Sequence, residues 1–316
     1  MGTANLKAQG PAPGRGYRYI HLEVFTDRKL AGNPLRVYVN PEGLAVDAMT
    51  RLTVESNYSE NTFVFPPEQR GTDFRVRIFG RSGEMPFAGH PAIGTAFALA
   101  HIGRIKPSTP TVGFGLGIGP TAMDLEWNGN DLAVAWMTQQ KPTFGNSTTD
   151  AAGVAGALGL QAADVAPGRA PAAQDVSTGS TYIIVPLASR KAVDTAVVDP
   201  SRMRAVRTAG GLTGFAVYAF TTEPGDDGTT SYSRLIPPPG IIEDPATGSA
   251  AGPLGCFMVR YGFVAADRAG SIVNAQGVLV KRPSRIHIRI ASANGEITQV
   301  KVGGASVVVG EGTASV

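Results

Sequence analysis

Glu84-Met85-Pro86-Phe87-Ala88-Gly89-His90 and Glu243-Asp244-Pro245-Ala246-Thr247-Gly248-Ser249 repeat one frame, E-x-P-x-x-G followed by a polar residue. An Arg-apolar-apolar run precedes each copy, Arg77-Ile78-Phe79 and Arg234-Leu235-Ile236. A small, apolar, helix-like stretch follows each and stops at a glycine, Gly103 or Gly262. The two glutamates lie 159 positions apart (243 − 84), as do the two terminal glycines (262 − 103), about half of a 316-residue chain. This self-similarity predicts a two-fold internal duplication. Each copy places a glycine turn and a polar residue at a helix start, so two helix N-termini can converge on one ligand. Their unpaired N–H groups and positive dipole ends favour an anion such as a carboxylate.

Composition sets the bounds. Hydrophobic residues make up 43% of the chain and charged residues 17%, which is ordinary for a globular protein large enough for one big or two medium domains. A net charge of +3 with no long Lys/Arg run gives no case for nucleic acid. A single cysteine, Cys256, excludes an intrachain disulfide and fits a reducing cytoplasm. There is no 18-residue apolar stretch, so no membrane span is expected. Residues 1–17, rich in Gly, Pro and Ala, read as a disordered leader.

Along the chain, Tyr17–Val24, Leu35–Val39, Thr62–Phe65 and Phe74–Phe79 read as strands, with a turn at Gly32-Asn33-Pro34. Val46 to Ser56 has a helical pattern, with Asp47 expected to cap it. Pro91–Ala100 and Ala250–Val259 lack a polar face, and a helix apolar all round is normally buried. Glu223–Thr230 reads as a polar loop, and Thr181–Val185, Val278–Ile290 and Gln299–Val309 as further strands. Many short strands broken by Gly and Pro indicate an α+β protein in which strands wrap a central helix, twice. The expected lobes are residues 18–142 and 143–302, with a last strand at about 303–316 returning to the first.

Polar groups concentrate beside turns at Asn33, at Ser59-Glu60-Asn61-Thr62, at Gly89-His90-Pro91 and at Glu243–Ser249. Singly, each has a bland reading: a solvated carboxylate, an exposed cap, a turn former. Their joint occurrence, with two in matching places of the duplication, marks them as candidates. Gly113–Gly119 alternates glycines without forming G-x-G-x-x-G, the four histidines have no metal-ligand spacing, and G-x-S-x-G is missing. Neither a metal nor a nucleotide cofactor is expected.

Together the segments resemble the phenazine-biosynthesis isomerase-like (PhzF-like) family, which has the diaminopimelate epimerase fold. The resemblance runs from about Tyr19 to the C-terminus. It rests on Gly32-Asn33-Pro34, Ser59-Glu60-x-Thr62, Pro86–Pro91, Ser177-Thr178-Gly179, Gly240–Ala250 and Gln276-Gly277…Arg282-Pro283-Ser284. It implies two pseudo-symmetric lobes, each an incomplete β-barrel around a central helix, with the active site between them. It also implies cofactor-free proton transfer, with Glu60 as the catalytic carboxylate and His90 and Asp244 as its polar partners. Gly89, Ser249 and the adjoining Gly248, Thr247 and Asn33 would bind substrate. The family's characterised activity is isomerisation of trans-2,3-dihydro-3-hydroxyanthranilate, and the expected assembly is a homodimer. Gly80-Arg81 replaces the usual Thr-Pro, Asn61 stands where Thr or Ala is common and Glu23 where Asp is common.

Elementary chemistry agrees with that picture. Isomerising a carbon acid needs a base that removes a C–H proton, and burial can raise a glutamate's pKa to suit. Asp244, beside a helix start, is expected to keep a lower pKa. Two other readings use the same chain: an amino-acid racemase or epimerase, or a catalytically idle protein that binds a small carboxylate. The thiol-based epimerase has Ala88 and Pro245 where its cysteines would be expected, and Cys256 lies inside the second apolar helix.

Overall fold

The computed structural model describes residues 14–165 and 170–316. The first half runs β1 (Gly16–Val24), β2 (Asn33–Val39), α1 (Val46–Ser56), β3 (Glu60–Phe65), β4 (Phe74–Gly80) and β5 (Gly83–Met85). It continues with α2 (Gly89–His101), β6 (Thr111–Leu116), β7 (Gly119–Asn128) and β8 (Asp131–Gln139). The second half opens with β9 (Thr143–Thr148), α3 (Ala151–Ala157), β10 (Ala173–Ser177) and β11 (Thr181–Pro186). Then come α4 (Arg190–Thr195), α5 (Pro200–Gly210), β12 (Val217–Thr221), β13 (Ser231–Ile236) and α6 (Gly248–Arg260). It ends with β14 (Ile272–Gln276), β15 (Ser284–Ala293), β16 (Glu296–Gly304) and β17 (Ser306–Ser315).

Strand pairing repeats between the halves. β1–β2 is antiparallel, β2–β3 parallel, β3–β4 antiparallel, β4–β6 parallel, and β6–β7–β8 antiparallel. β10 through β16 follow the same sequence of orientations. The helices α2 and α6 are both 13 residues long and start 159 positions apart (248 − 89), matching the motif offset. Two lobes therefore wrap two central helices, and β8 joins them by pairing with β16. We propose 18–142 with 303–316, and 143–302, as the extents of the lobes.

The motif glutamates have a structural reason to recur. Glu84 accepts from Arg77 Nε at 2.8 Å, and Glu243 accepts from Arg234 Nη2 at 2.8 Å. Each pair pins the E-x-P turn to the strand before it, which sets where the next helix begins. The first pair is partly solvated. The second is buried, and Arg234 Nη1 also donates to the carbonyls of Val193, Asp194 and Ala196. A pair with its remaining donors satisfied tolerates burial, and breaking it from one side leaves an uncompensated charge.

Both central helices are buried almost all round. Ile93, Ala96, Leu99, Ala250, Leu254 and Phe257 belong to one core shared by the two lobes. Burying an Ile, Leu or Phe here contributes roughly 1.5–3 kcal/mol each. Separate cores lie under α3–α5 and around Tyr38, Phe63 and Phe79 beneath α1.

Some expectations need correction. β1 begins at Gly16 and so takes up the end of the expected leader, whose residues 1–13 lie outside the described residues. Asp47 does not cap α1: the N-cap is Ala45, and Asp47 instead pairs with Arg51 at 3.0 Å. The strand expected over Val278–Ile290 begins only at Ser284, because Arg282 N closes a turn onto the Gly277 carbonyl. Gln299–Val309 is two strands, not one. The Ala305 carbonyl accepts from Phe25 N and Thr26 N, and there the chain leaves β15 and β8 to pair with β1. Helices α4 and α5 were not foreseen.

Gln139 crosses from the end of β8 to α6, donating to the Gly248 carbonyl at 2.9 Å and accepting from Thr178 Oγ1 at 2.6 Å. A Cβ on Gly252 would lie 1.8 Å from Gln139 Oε1. Gly252→Ala should therefore displace Gln139 and destabilise the protein by about 1–3 kcal/mol in urea unfolding. Unchanged stability would show that this crossing does not constrain how the lobes are joined.

Candidate active site

The starts of α2 and α6 meet. A Cβ on Gly89 would lie 3.4 Å from Gly248 and from the Ser249 nitrogen, and one on Gly248 would lie 3.0 Å from the Phe25 ring. Neither helix has a side-chain cap: Ala88 has none to offer, and the Thr247 hydroxyl is directed to Asp244. First-turn N–H groups at both ends are thus left for an anionic guest.

Glu60, His90, Asp244 and Asn33 gather at this junction from β3, α2, the α6 approach and β2. Asn33, 1% exposed, donates through Nδ2 to Asp244 Oδ1 at 2.7 Å and to the Ala246 carbonyl at 3.0 Å. The same Nδ2 faces His90 Nδ1 at 3.4 Å. Since Ala246 O can only accept, the amide orientation is assigned; its two protons serve Asp244 Oδ1 and Ala246 O, and a proton on His90 Nδ1 would meet a second donor. The imidazole proton then sits on Nε2. That nitrogen is buried, has no hydrogen-bond partner among the described residues, and lies 3.6 Å from Glu60 Oε2.

Proton affinities follow from burial. Desolvation pushes Glu60 up to about 7, helped by repulsion from Asp244 and opposed by a hydrogen bond from Ser59. Desolvation likewise pushes His90 down to about 3, so the 3.6 Å contact is not an ion pair at neutral pH. Asp244 keeps the lower pKa of the two carboxyls, as expected, but well above the ordinary aspartate value. Burial raises it to about 6, against the hydrogen bonds from Thr247 and Asn33, because desolvation outweighs the donors and the helix end. The two carboxyls still differ in the expected order.

Among the substrate-binding candidates, Gly89, Gly248, Thr247 and Asn33 lie at the junction as described. Ser249 Oγ pairs with Tyr182 OH at 2.6 Å. Arg81 turns to the Asn57 side chain and carbonyl, at 2.7 and 3.1 Å. Glu23 is buried and paired with Arg282, which also donates to the Gly32 carbonyl at 2.8 Å and so holds the turn before Asn33. Sequence reasoning had Ser59 within a candidate segment and Gln276 only as a residue of the resemblance, and it missed Tyr182 as a contributor. Gln276 and Asn274 had a signal: polar residues two apart on a strand share a face, and here that face points inward.

A family model described as phenazine biosynthesis-like protein matches residues 22–312. The chain belongs to the phenazine biosynthesis-like family. A relative from Pseudomonas aeruginosa, trans-2,3-dihydro-3-hydroxyanthranilate isomerase, is 32% identical over 299 residues, covering 94% of this chain and 99% of its own. A solved structure described as a predicted epimerase from Pseudomonas aeruginosa superposes with a TM-score of 0.76 at 32% identity, covering 95% of this chain and 99% of that one. A phenazine biosynthesis protein of the PhzF family from Bacillus anthracis superposes at 0.81, covering 96% and 100%; at 23% identity it speaks for the fold. For this member of the phenazine biosynthesis-like family, the two-lobed fold expected from the duplication is therefore the observed one.

The raised Glu60 pKa carries a stability consequence. The native state binds this proton more tightly than the unfolded chain, whose glutamate titrates near 4.5. Glu60 thus costs no stability below about 4.5 and costs progressively more as pH rises to about 7. Glu60→Gln should become more stable relative to the parent between pH 5 and pH 8, by up to about 3 kcal/mol in urea unfolding. A difference independent of pH would place Glu60 in an unperturbed, solvated setting.

Proposed function

We propose that this protein is an isomerase that moves a proton within a small carboxylic acid by general acid/base catalysis, without a cofactor. The observation that carries this reading is the pairing of Glu60, pushed up to about 7, with the unpartnered Nε2 of neutral His90 beside two uncapped helix ends. Near neutrality Glu60 populates both its carboxylate and its acid. It can take a proton from one substrate carbon, exchange it with solvent and give one back at another, leaving the substrate's composition and its own state unchanged. His90 Nε2–H donates to a substrate nitrogen or oxygen on which charge develops. Asp244, ionised before Glu60 as pH rises, accepts from the substrate and orients it. The N–H groups at Gly89, Gly248 and Ser249 bind the substrate carboxylate, each helix end contributing ~0.3–2 kcal/mol.

The substrate class follows from the same site and from the relative's activity: a compound similar to trans-2,3-dihydro-3-hydroxyanthranilate, bearing a carboxylate and a carbon acid. Cytoplasmic residence is part of the proposal and rests on the lone, reduced Cys256; a homodimer rests on the family resemblance. Among the described residues no helix is long and apolar enough to cross a membrane. Thiol-based epimerisation has little support. Cys256 is buried on α6 and its thiol is pushed up to about 12 by desolvation, the opposite of an activated nucleophile.

With trans-2,3-dihydro-3-hydroxyanthranilate in deuterated water, the wild type should place solvent deuterium at the new C–H position, followed by NMR. Glu60→Gln should lose this exchange by about 10²–10⁴-fold while still binding a carboxylate ligand. Near-normal exchange in Glu60→Gln would move the base to Asp244 or His90. Binding without exchange in the wild type would favour the idle carboxylate-binding reading. Cys256→Ala should retain turnover, with a small loss of stability from the packing defect; loss of turnover in a folded Cys256→Ala protein would restore the thiol mechanism.

A further inference from the structure

A buried hydrogen-bonded chain runs from Asp244 into the second lobe, and the donors nearest Asp244 have no freedom of direction. Gln276 Oε1 accepts from the Thr247 backbone N–H at 2.9 Å, while Gln276 Nε2 donates to the Asp244 backbone carbonyl at 2.9 Å. A backbone N–H can only donate and a carbonyl can only accept, so the Gln276 amide admits one orientation. Its second Nε2 proton goes to Thr247 Oγ1 at 2.9 Å. Thr247, having accepted there, spends its single hydroxyl proton on Asp244 Oδ2 at 2.6 Å.

Behind Gln276 the Tyr218 hydroxyl is directed as well, while the Ser233 hydroxyl has two acceptors, Tyr218 OH at 3.0 Å and the Ala275 carbonyl at 3.3 Å. Tyr218 OH donates to Gln276 Oε1 at 2.7 Å and accepts from Ser233 Oγ at 3.0 Å and Asn274 Nδ2 at 3.1 Å. Ser231 Oγ closes the chain on Asn274 Oδ1 at 2.8 Å. Tyr218, Ser233, Asn274 and Gln276 have no exposed surface, so the network cannot be rearranged by water from outside. Apolar side chains would fill this core at less desolvation cost. What the polar version adds is one outlet, a hydroxyl proton aimed at Asp244.

We propose that Gln276 is a positioning residue for the reaction: it fixes the direction of the Thr247 hydroxyl so that Asp244 meets the substrate with both oxygens already acting as acceptors. The proposal rests on the isomerase reading and names a residue outside the reacting groups. Asp244 Oδ1 is held by Asn33 and Oδ2 by Thr247, so both hydrogen bonds favour the ionised form. The other titratable groups facing Asp244 are Glu60 from β3, His90 from α2 through Asn33, Tyr182 and Tyr218 from β11 and β12, and Glu243 beside it. Both tyrosines are raised by burial and stay protonated, His90 stays neutral, and Glu243 is paired with Arg234. Glu60, pushed up to about 7, lies within about a unit of Asp244 at about 6.

The test removes that overlap. In a Glu60→Gln background, the side-chain carboxyl carbon of Asp244 is titrated by NMR, with Thr247→Val, Thr247→Ser and Gln276→Met added singly. Thr247→Val should raise the Asp244 midpoint by about one pH unit, the worth of one hydrogen bond to a charged group. Gln276→Met should move it the same way, and Thr247→Ser should leave it in place. With Glu60 intact, Gln276→Met should lose turnover more at pH 6 than at pH 8.5, by about five-fold for a one-unit shift. A midpoint unmoved in Thr247→Val and in folded Gln276→Met overturns the proposal, as does a moved midpoint with turnover unchanged at both pH values. Should Gln276→Met not fold, Thr247→Val against Thr247→Ser decides. Exchange surviving in Glu60→Gln would instead overturn the assignment of the base, and it does so without touching the Asp244 midpoint.

Discussion

Two helix N-termini pressed together at Gly89 and Gly248 are the constraint on which the rest of the molecule depends. Each helix end carries about half a positive charge, so bringing two together is unfavourable unless negative charge answers them. Asp244 and Glu60 stand beside the junction, and the geometry leaves further N–H groups for a guest. The fold supplies the force that holds the ends together. Apolar faces of α2 and α6 are buried in one shared core, and the Arg–Glu pairs fix the turns from which both helices start.

The same junction explains why burial wins over every other influence on the site's proton affinities. Helix ends and hydrogen-bond donors should lower both carboxyls, yet Glu60 and Asp244 are raised and His90 is lowered. Excluding water acts on each charge individually, whereas a hydrogen bond recovers only part of the lost hydration. The ordering that remains is useful. Asp244 has two side-chain donors and Glu60 only the Ser59 hydroxyl, so Asp244 ionises first and Glu60 stays poised near neutrality. Asn33 coordinates this arrangement: one amide holds Asp244, ties it to the backbone at Ala246 and settles which His90 nitrogen carries the proton.

Stability is given up to make such a site. A carboxyl kept near pH 7 inside the fold opposes folding once it ionises, and the directed network behind Asp244 occupies space that apolar side chains could fill. The large apolar core, continuous from α2 to α6, offsets both. Gln139, crossing from β8 to cap no helix but to hold the Gly248 carbonyl, couples that core to the junction.

The duplication was legible in the chain because it is a matter of spacing: the E-x-P-x-x-G frame and the glycine stops recur at 159 residues, and both central helices obey that offset. Burial of those helices was legible because neither has a polar face. Glu60, His90, Asp244 and Asn33 could be singled out because each sits at a turn beside a strand or helix start, where side chains reach a cleft. The raised pKa of Asp244, the His90 tautomer and the part played by Gln276 could not be read there. Each depends on groups brought together from 29 to 211 positions away, such as Asn33 with Asp244 and Gln276 with Thr247. Pattern along the chain determined where helices and turns form, since that is governed by neighbours in sequence. Tertiary structure alone decided which polar atoms lose water and which partners replace it, and those choices set the chemistry.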